Sequence, residues 1–368
     1  MKLTLKNIRA RAVQVPLKRP PRSASGEIPN AALVLIDIET NEGITGSSYV
    51  FAFMRSMLKP TVAMVEALAE MINGDAVVPF EIEAKLRKRL TLQDSHGIAG
   101  QVIAGIDMAA WDAHAKGLGV PLVRALGGEV RPVRAYNSCG LWIKDPALLA
   151  DEASQLMAEG GYSAVKLRIG RPNFKEDLAA VRNVKKRIGD DVLLMTDFNQ
   201  SLTVNEAIRR GRALDDEGLY WIEEPIRHDN YAGCAKIAAE VMTPIQIGEN
   251  LLNPAEMQKA IDAKAAEYYM PDVQRIGGVT GWMRAAAIAQ VHDVDLSSHL
   301  FPEFSAHLLA VTPTRHWLEY MDWANAILQQ PFEVKNGCLR IPLAQSMYSS
   351  QWQVGVTANR CALNSGNR

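Results

Sequence analysis

Three acidic residues recur at equal spacing in the second half of the chain: Asp197, Glu223 and Glu249. Each stands at or near the end of a short apolar run, and each of the two intervals between them is 26 residues. Three carboxylates that converge on one cation suit the octahedral oxygen shell of Mg²⁺. No thiol or imidazole belongs to the set, which disfavours zinc. A single carboxylate could equally be a solvated loop residue or a helix cap, but the equal spacing of all three favours a shared Mg²⁺ site.

Charged groups of both signs flank these carboxylates along the chain. Lys166 and Arg168 are two positions apart in an apolar run, so in a strand both side chains leave the same face. Asp272 and His299 end two later runs. The aspartate could hold the imidazole Nδ1, leave Nε2 free to accept a proton and raise the histidine pKa. Glu319 adds one more carboxyl group, and the other histidines are interpreted as structural.

Proton abstraction next to a carboxylate is the chemistry that requires such a set. The carbon acid is very weak, so its enolate has to be stabilised by a metal ion, by a second cation and by a hydrogen-bond donor. Mg²⁺, Lys166 and a protonated Glu319 are predicted to fill these roles. The bases must approach the carbon from its two faces. His299 is one base, and the residue at position 168 occupies the other face.

The same spacing predicts the fold that positions these residues. Over residues 131–325, short apolar runs that end in charged or titratable groups alternate with helical stretches. This pattern is typical of an α/β fold, a (β/α) barrel of the TIM type, because the carboxyl ends of its strands converge around one mouth. A doubly wound open sheet is the alternative, but it would spread successive strand ends along a line.

An α+β capping domain is predicted for residues 1–130. It opens with the alternating apolar positions of an antiparallel meander and continues with helical spacing over residues 60–116. After the barrel, residues 326–368 return to strand-like sequence with a hairpin turn at Asn336-Gly337. This last segment is expected to complete the capping domain.

Composition narrows the class of partner. The chain of 368 residues carries 40 Lys plus Arg against 41 Asp plus Glu, a net charge of −1 that gives no reason to expect nucleic acid or a membrane surface. The four cysteines include no CxxC pair, the N-terminus has no apolar signal segment, and no apolar stretch has the length of a membrane span. The sequence therefore predicts a cytoplasmic protein that acts on a small molecule.

Several motifs resemble the enolase superfamily, and within it the mandelate racemase subgroup, over nearly the whole chain. They are Gly105-Ile106-Asp107-Met108-Ala109-Ala110-Trp111-Asp112, Ala164-Val165-Lys166, Trp221-Ile222-Glu223-Glu224-Pro225, Gly248-Glu249-Asn250, Ile276-Gly277-Gly278-Val279-Thr280-Gly281-Trp282, Ser297-Ser298-His299-Leu300-Phe301 and His316-Trp317-Leu318-Glu319.

The resemblance implies a role for each member of the set. Carried over to this chain, the roles are Mg²⁺ ligation by Asp197, Glu223 and Glu249, contact with the substrate carboxylate by Lys166 and Glu319, proton transfer by His299 with Asp272, and polar pocket contacts by Asn199 and Ser138. It also implies a capping-domain loop, at about residues 20–28, that closes over the substrate. Related proteins are commonly symmetric oligomers, so this chain is expected to form a homo-oligomer.

One departure from the family pattern affects the chemistry. Where the family has Lys-x-Lys, this chain has Lys166-Leu167-Arg168. A lysine beside another cation can accept a proton, whereas an arginine stays protonated under nearly all conditions. The second base is therefore missing. His299 alone could still abstract a proton and then protonate a leaving β-hydroxyl, which is dehydration.

The expected substrate pocket is mixed in character. Its residues are Ser23, Ser25 and Ile28 from the capping loop and the apolar Phe51, Phe53, Leu300 and Met321. The loop is more polar than a pocket shaped for an unsubstituted phenyl ring would be, although the apolar residues keep an aromatic substrate open.

Three functions remain after these observations. The overall resemblance favours a Mg²⁺-dependent racemase or epimerase of a 2-hydroxy carboxylic acid, and this is the preferred hypothesis. Arg168 favours the alternative, a sugar-acid dehydratase with His299 as the only acid and base. A catalytically inactive binding or structural relative is disfavoured, because a decayed site has no chemical reason to keep the complete set of metal ligands and bases.

Overall fold

The computed structural model describes residues 2–93 and 95–342 of the chain. The strands and helices of its N-terminal part form an α+β unit. The strands are β1 (Leu5–Pro16), β2 (Arg22–Ser23), β3 (Gly26–Glu27), β4 (Asn30–Thr40) and β5 (Thr45–Phe51). β1, β4 and β5 form an antiparallel sheet in that order, as the alternating apolar positions predict, and β2 and β3 form a separate hairpin. The helices are α1 (Leu58–Ile72), α2 (Pro79–Arg89), α3 (Gly97–Leu118) and α4 (Leu122–Ala125).

Helix α3 lies between this sheet and the rest of the protein. On the sheet side, Gly46 allows a close approach, because a Cβ there would lie 2.0 Å from the Ala109 carbonyl oxygen. On the opposite side, Trp111 Nε1 donates to Thr280 Oγ1 over 2.9 Å. The Asp107 carboxylate accepts a hydrogen bond from Thr280 N, also over 2.9 Å. These contacts fix the N-terminal unit against the second half of the chain.

A closed parallel barrel forms that second half. Its strands are β6 (Val133–Asn137), β7 (Ala164–Arg168), β8 (Leu193–Asp197), β9 (Leu219–Glu223), β10 (Ile245–Ile247), β11 (Tyr268–Tyr269), β12 (Asp295–Leu296) and β13 (Leu318–Tyr320). Each strand from β6 to β11 pairs in parallel with the next, and β13 pairs in parallel with β6. A bridge between Leu296 and Arg315 completes the ring. The predicted (β/α) barrel with an N-terminal capping domain is confirmed, and the open sheet is excluded.

Helices follow the barrel strands. They are α5 (Leu149–Ala158), α6 (Phe174–Ile188), α7 (Val204–Leu214), α8 (Tyr231–Glu240), α9 (Pro254–Asp262), α10 (Val273–Ile276), α11 (Gly278–His292) and α12 (Pro302–Val311). Polar side chains cap the first turns of α6 to α9, and these caps are Asn173, Thr203, Asn230 and Asn253. None of the described helices has the length and apolar content that crossing a membrane needs.

Successive side chains of β7 point alternately into the hydrophobic core and into the barrel, where the site lies. Val165, Leu167 and Ile169 are fully buried in the main hydrophobic core. Lys166 and Arg168 leave the other face of the strand and point into the barrel, as their spacing predicts.

The C-terminal hairpin pairs with the barrel, which corrects one expectation. Strands β14 (Val334–Lys335) and β15 (Cys338–Leu339) are joined by Asn336 and Gly337, whose φ angles of 52° and 68° are those of the predicted tight turn. β15 pairs antiparallel with β6, so this hairpin extends the barrel sheet and not the N-terminal one. Residues 343–368 of the segment expected to complete the capping domain lie outside the described residues, and the domain boundaries at residues 130 and 325 stay predictions.

Candidate active site

The three predicted metal carboxylates meet at the carboxyl ends of neighbouring strands. Asp197 and Glu223 are the last residues of β8 and β9, and Glu249 follows β10. One oxygen of each carboxylate lies within 4.8 Å of the others. Asp197 and Glu223 are buried and Glu249 is half-buried. Three negative groups this close repel one another strongly, and an all-oxygen donor set of this charge fits a hard cation such as Mg²⁺.

Lys166 supplies positive charge beside this carboxylate trio. Its Nζ lies 2.5 Å from Glu223 Oε1, 3.6 Å from Asp197 Oδ2 and 2.8 Å from Glu319 Oε1. Burial lowers the pKa of Lys166, but the three carboxylates outweigh burial and raise that pKa above its ordinary value. Burial also raises the pKa of Glu223 to about 8, although the charge of Lys166 opposes the shift. Lys166 is therefore a fixed cation between the trio and Glu319.

Arg168 lies at the Asp197 end of the trio, with most of its donors in use. One terminal nitrogen donates to the carbonyl oxygens of Ser138 and Gly140 over 3.0 and 3.2 Å. The other donates to Ser138 Oγ over 2.7 Å. The guanidinium stacks on the Trp142 ring, 4.0 Å from its centroid. Nε has no hydrogen-bond partner among the described residues and lies 3.9 Å from Asp197 Oδ2.

His299 and Asp272 form a pair at the Glu249 end of the trio. The distance from His299 Nδ1 to Asp272 Oδ2 is 2.8 Å. The other oxygen of Asp272 accepts from the backbone N–H groups of Gln274 and Arg275 in α10, which holds the carboxylate in place. His299 Nε2 lies 3.4 Å from Glu249 Oε2. Burial lowers the pKa of His299, but Glu249, the Asp272 hydrogen bond and further carboxylate charge outweigh burial and raise it to about 9.

Glu319 is held in place by three donors, the first of which is Lys166 Nζ at 2.8 Å from Oε1. Ser138 Oγ donates to Oε1 over 2.7 Å, and Leu300 N donates to Oε2 over 3.0 Å. Leu300 has φ of 49°, a left-handed conformation that is strained for a leucine. Burial alone would raise the pKa of Glu319, but Lys166, His299 and Arg168 hold it well below its ordinary range. In this arrangement Lys166 favours the ionised form of Glu319, and the donor role of a protonated Glu319 stays a prediction.

A cavity of about 420 Å³ opens above these groups. Most of the expected pocket residues line it, namely Asn199, Ser23, Ser25, Ile28, Phe53, Leu300 and Met321. The β2–β3 hairpin covers one side, since Ser25 Oγ donates to the carbonyl oxygen of Asn199. The Trp142 Nε1 also donates to the carbonyl oxygen of Arg19, just before that hairpin, over 3.2 Å. The capping loop thus lies over the mouth of the barrel.

Two expected pocket residues do not line this cavity. Phe51 lies behind Phe53, with ring centroids 4.3 Å apart, and faces a separate small apolar chamber. Phe53 has φ of 59°, so the chain leaves the strand geometry there. Ser138 is completely buried beneath Arg168 and Glu319, where its hydroxyl contacts both.

Sequence reasoning missed several cavity residues, which are Trp142, Gln200, Asn250, Arg275 and Trp323. They lie in loops or helix starts, where no periodic pattern identifies an inward-facing side chain. The only available signal was adjacency to a predicted strand end, as for Asn250 directly after Glu249.

Sequence profiles of two domain families match the chain. The profile of the mandelate racemase/muconate lactonizing enzyme N-terminal domain matches residues 6–127, and the enolase C-terminal domain-like profile matches residues 148–345. The L-talarate/galactarate dehydratase of Salmonella typhimurium is 31% identical over 309 residues, which is 83% of this chain and 77% of that protein. The 3,6-anhydro-alpha-L-galactonate cycloisomerase of Streptomyces coelicolor is 31% identical over 342 residues, 92% of this chain and 94% of that protein.

Solved structures agree with these matches over nearly the full length. An enolase from alpha proteobacterium bal199 with bound magnesium has a TM-score of 0.92 and 42% identity, covering 94% of this chain and 96% of that one. An enolase from Bradyrhizobium in complex with magnesium and mandelic acid has a TM-score of 0.88 and 40% identity, covering 93% of this chain and 94% of that one.

Proposed function

Because the chain belongs to the mandelate racemase/muconate lactonizing enzyme family of the enolase superfamily, and is a Mg²⁺-dependent enzyme, we propose that it dehydrates a sugar acid. The reaction would begin with abstraction of the proton on C2, next to the carboxylate. One observation carries the choice of net reaction: at one end of the site Nδ1 of His299 is paired with Asp272, and at the other end both terminal nitrogens of Arg168 donate hydrogen bonds. This choice differs from the racemase that the sequence alone favours.

Asp197, Glu223 and Glu249 would hold the Mg²⁺. When bound there, the ion would supply a Lewis acid that stabilises the negative charge developing on the substrate carboxylate. Lys166 would contact the same carboxylate from the side of Glu223. Glu319 would keep the lysine ammonium in position, since the two groups are 2.8 Å apart.

His299 would act as both base and acid. Asp272 accepts the Nδ1–H, which leaves Nε2 of the neutral imidazole free to take the C2 proton. The electron pair of the C–H bond moves into the enolate and then expels the hydroxyl group on C3. The proton on Nε2 passes to that leaving hydroxyl, which departs as water. The enol product then becomes a 2-keto-3-deoxy acid.

Arg168 makes racemisation unfavourable. Racemisation needs a second group that exchanges a proton on the opposite face of C2, and a guanidinium keeps its proton at neutral pH. The contacts to Ser138, Gly140 and Trp142 also hold the guanidinium in one position. The similarity to the L-talarate/galactarate dehydratase of Salmonella typhimurium supports a sugar acid as the substrate.

A 2-hydroxy acid racemase or epimerase is the second candidate, because part of the cavity is apolar. Phe53, Leu300 and Met321 line it, and the similar Bradyrhizobium enolase has mandelic acid bound. An unsubstituted aryl 2-hydroxy acid has no β-hydroxyl to expel, so turnover of such a compound would need the second base that Arg168 does not provide.

A substrate panel in D₂O with Mg²⁺ tests the proposal. Sugar acids and both enantiomers of mandelate are incubated with the enzyme, keto-acid product is measured with semicarbazide, and exchange at C2 is followed by NMR. We expect a keto product from at least one sugar acid, with proton abstraction from one C2 configuration. Interconversion of mandelate enantiomers without any dehydration would contradict the proposal and favour the racemase.

The homo-oligomer expected from the sequence stays a prediction, and analytical ultracentrifugation would test it.

A further inference from the structure

Two side chains beneath the carboxylate trio donate hydrogen bonds to the same oxygen of Glu223. Trp221 Nε1 donates to Glu223 Oε2 over 3.1 Å, and Gln246 Nε2 donates to it over 3.3 Å. Both donors are completely buried, as is Glu223 itself. The other oxygen, Oε1, lies 2.5 Å from Lys166 Nζ. The two oxygens of this carboxylate therefore have separate partners.

The barrel backbone fixes this arrangement. Trp221 precedes Glu223 by two positions on β9, so both side chains point into the barrel. Gln246 is the direct neighbour of Glu223 in the register of β9 and β10. On β10, Ile245 and Ile247 face the outer core, which leaves Gln246 on the inner face. Neither donor depends on a loop for its position.

We propose that Trp221 and Gln246 are positioning residues for the Mg²⁺ site. By holding Oε2, they turn Oε1 of Glu223 toward the side of Lys166, whose Nζ is also 3.6 Å from Asp197 Oδ2. This inference rests on the proposed role of Glu223 as a Mg²⁺ ligand. Groups that orient a metal ligand typically affect metal affinity by about 10- to 100-fold.

Core packing alone is the competing explanation for Trp221. Its ring packs against Tyr136, with centroids 5.5 Å apart, and Tyr136 also contacts Trp317, with centroids 6.4 Å apart. Trp317 is equally buried in this aromatic cluster, but its Nε1 has no hydrogen-bond partner among the described residues. Trp317→Phe is therefore a matched control that removes a buried indole without removing a contact to Glu223.

Mg²⁺ titration by calorimetry, on full-length protein first treated with EDTA, tests the inference. We expect Trp221→Phe to weaken Mg²⁺ binding by about tenfold or more, and Trp317→Phe to change it by less than about twofold. Gln246→Met keeps the side-chain length and removes the amide donor, so it should weaken binding as well. Circular dichroism in EDTA checks that each variant is folded.

The outcomes separate the inference from the function on which it rests. If Trp221→Phe and Gln246→Met bind Mg²⁺ as Trp317→Phe does, the positioning role is wrong. If Trp221→Phe does not fold, Gln246→Met decides alone. Glu223→Gln is titrated in parallel, and undiminished Mg²⁺ binding by that variant would instead overturn the ligand assignment of the proposed function.

Discussion

His299 and Arg168 stand at opposite ends of the carboxylate trio and differ in what their surroundings leave free. Asp272 holds Nδ1 of His299 over 2.8 Å, and Nε2 remains at the edge of the cavity. Arg168 donates to backbone carbonyl oxygens and, over 2.7 Å, to Ser138 Oγ. Both groups can be cationic, but only the imidazole, whose pKa is raised to about 9, can release its proton in mildly alkaline solution, whereas a guanidinium keeps its proton. A place in the lining of the cavity is therefore not sufficient to make a side chain a base.

Removing the imidazole is expected to have the largest effect. His299→Asn should lower both dehydration and C2 exchange by about 10²- to 10⁴-fold, because it removes the proposed base. Keto-acid formation and deuterium incorporation are measured on the same samples. Mg²⁺ binding, measured by calorimetry, should persist and serves as the check on the fold. Exchange that survives at more than about a tenth of the wild-type rate would mean that another group is the base.

Replacing Arg168 by lysine should reduce the difference between the two ends of the trio, because both would then carry a group that can release a proton. Arg168→Lys loses the paired contacts to Ser138 and the carbonyl oxygens, so dehydration should fall by about 10- to 100-fold. A lysine can release a proton, so slow exchange of the opposite C2 configuration should appear. NMR in D₂O with each configuration of the substrate measures this gain. No gain of exchange would place the side chain at position 168 out of reach of C2.

Removing one hydrogen-bond partner of Arg168 should have a smaller effect on activity than replacing Arg168 itself. Ser138→Ala removes the hydroxyl that donates to Glu319 and accepts from Arg168, both over 2.7 Å. A lost hydrogen bond to a charged group is worth about 1.5 to 3 kcal/mol, and because the serine only positions these charges we expect the lower end of that range, a fall in kcat/KM of about tenfold. Ser48→Ala is the control, since that serine is buried in the N-terminal unit and donates to the Gly105 carbonyl oxygen. Equal losses in both variants would point to a general effect on stability.

The groups at the strand ends could be predicted from the sequence because one rule places them all. Asp197, Glu223 and Glu249 follow apolar runs at a constant interval, and parallel strands in a barrel bring such positions to one mouth. His299 and Glu319 follow from the same rule on later strands. Alternation along β7 likewise predicts that Lys166 points inward.

Features that depend on a partner far away in the chain could not be predicted in this way. The contact between Glu319 Oε1 and Lys166 Nζ, which are 2.8 Å apart, follows from no sequence pattern. The stacking of Arg168 on Trp142 depends on the conformation of a loop. The hairpin at Asn336-Gly337 was recognisable from its turn, but strand-like sequence does not say which sheet edge it will join.

A buried histidine outside the site, His307, gives a second contrast with His299. Burial lowers the pKa of both His299 and His307, but the surrounding groups differ. The carboxylates around His299 outweigh burial and raise its pKa to about 9. His307 is reached by the Val123 backbone N–H, which donates to Nδ1 over 3.1 Å, and burial holds its pKa at about 3. A neutral, buried histidine of this kind couples folding to pH.

His307 is expected to make the free energy of unfolding decrease as the pH falls below 6.5. The unfolded chain takes up the proton with the ordinary pKa of 6.5 and the folded chain only near 3, so the stabilisation is complete above pH 6.5 and is lost as the pH falls toward 3. Between pH 7 and pH 5 this loss amounts to about 2 kcal/mol. Urea unfolding at both pH values measures it. In His307→Gln, whose amide oxygen can still accept from Val123 N, the decrease should be smaller than in the wild type by that amount. The exposed His292→Gln should keep the wild-type decrease, and an equally large decrease in His307→Gln would show that His307 titrates near its ordinary pKa in the folded protein.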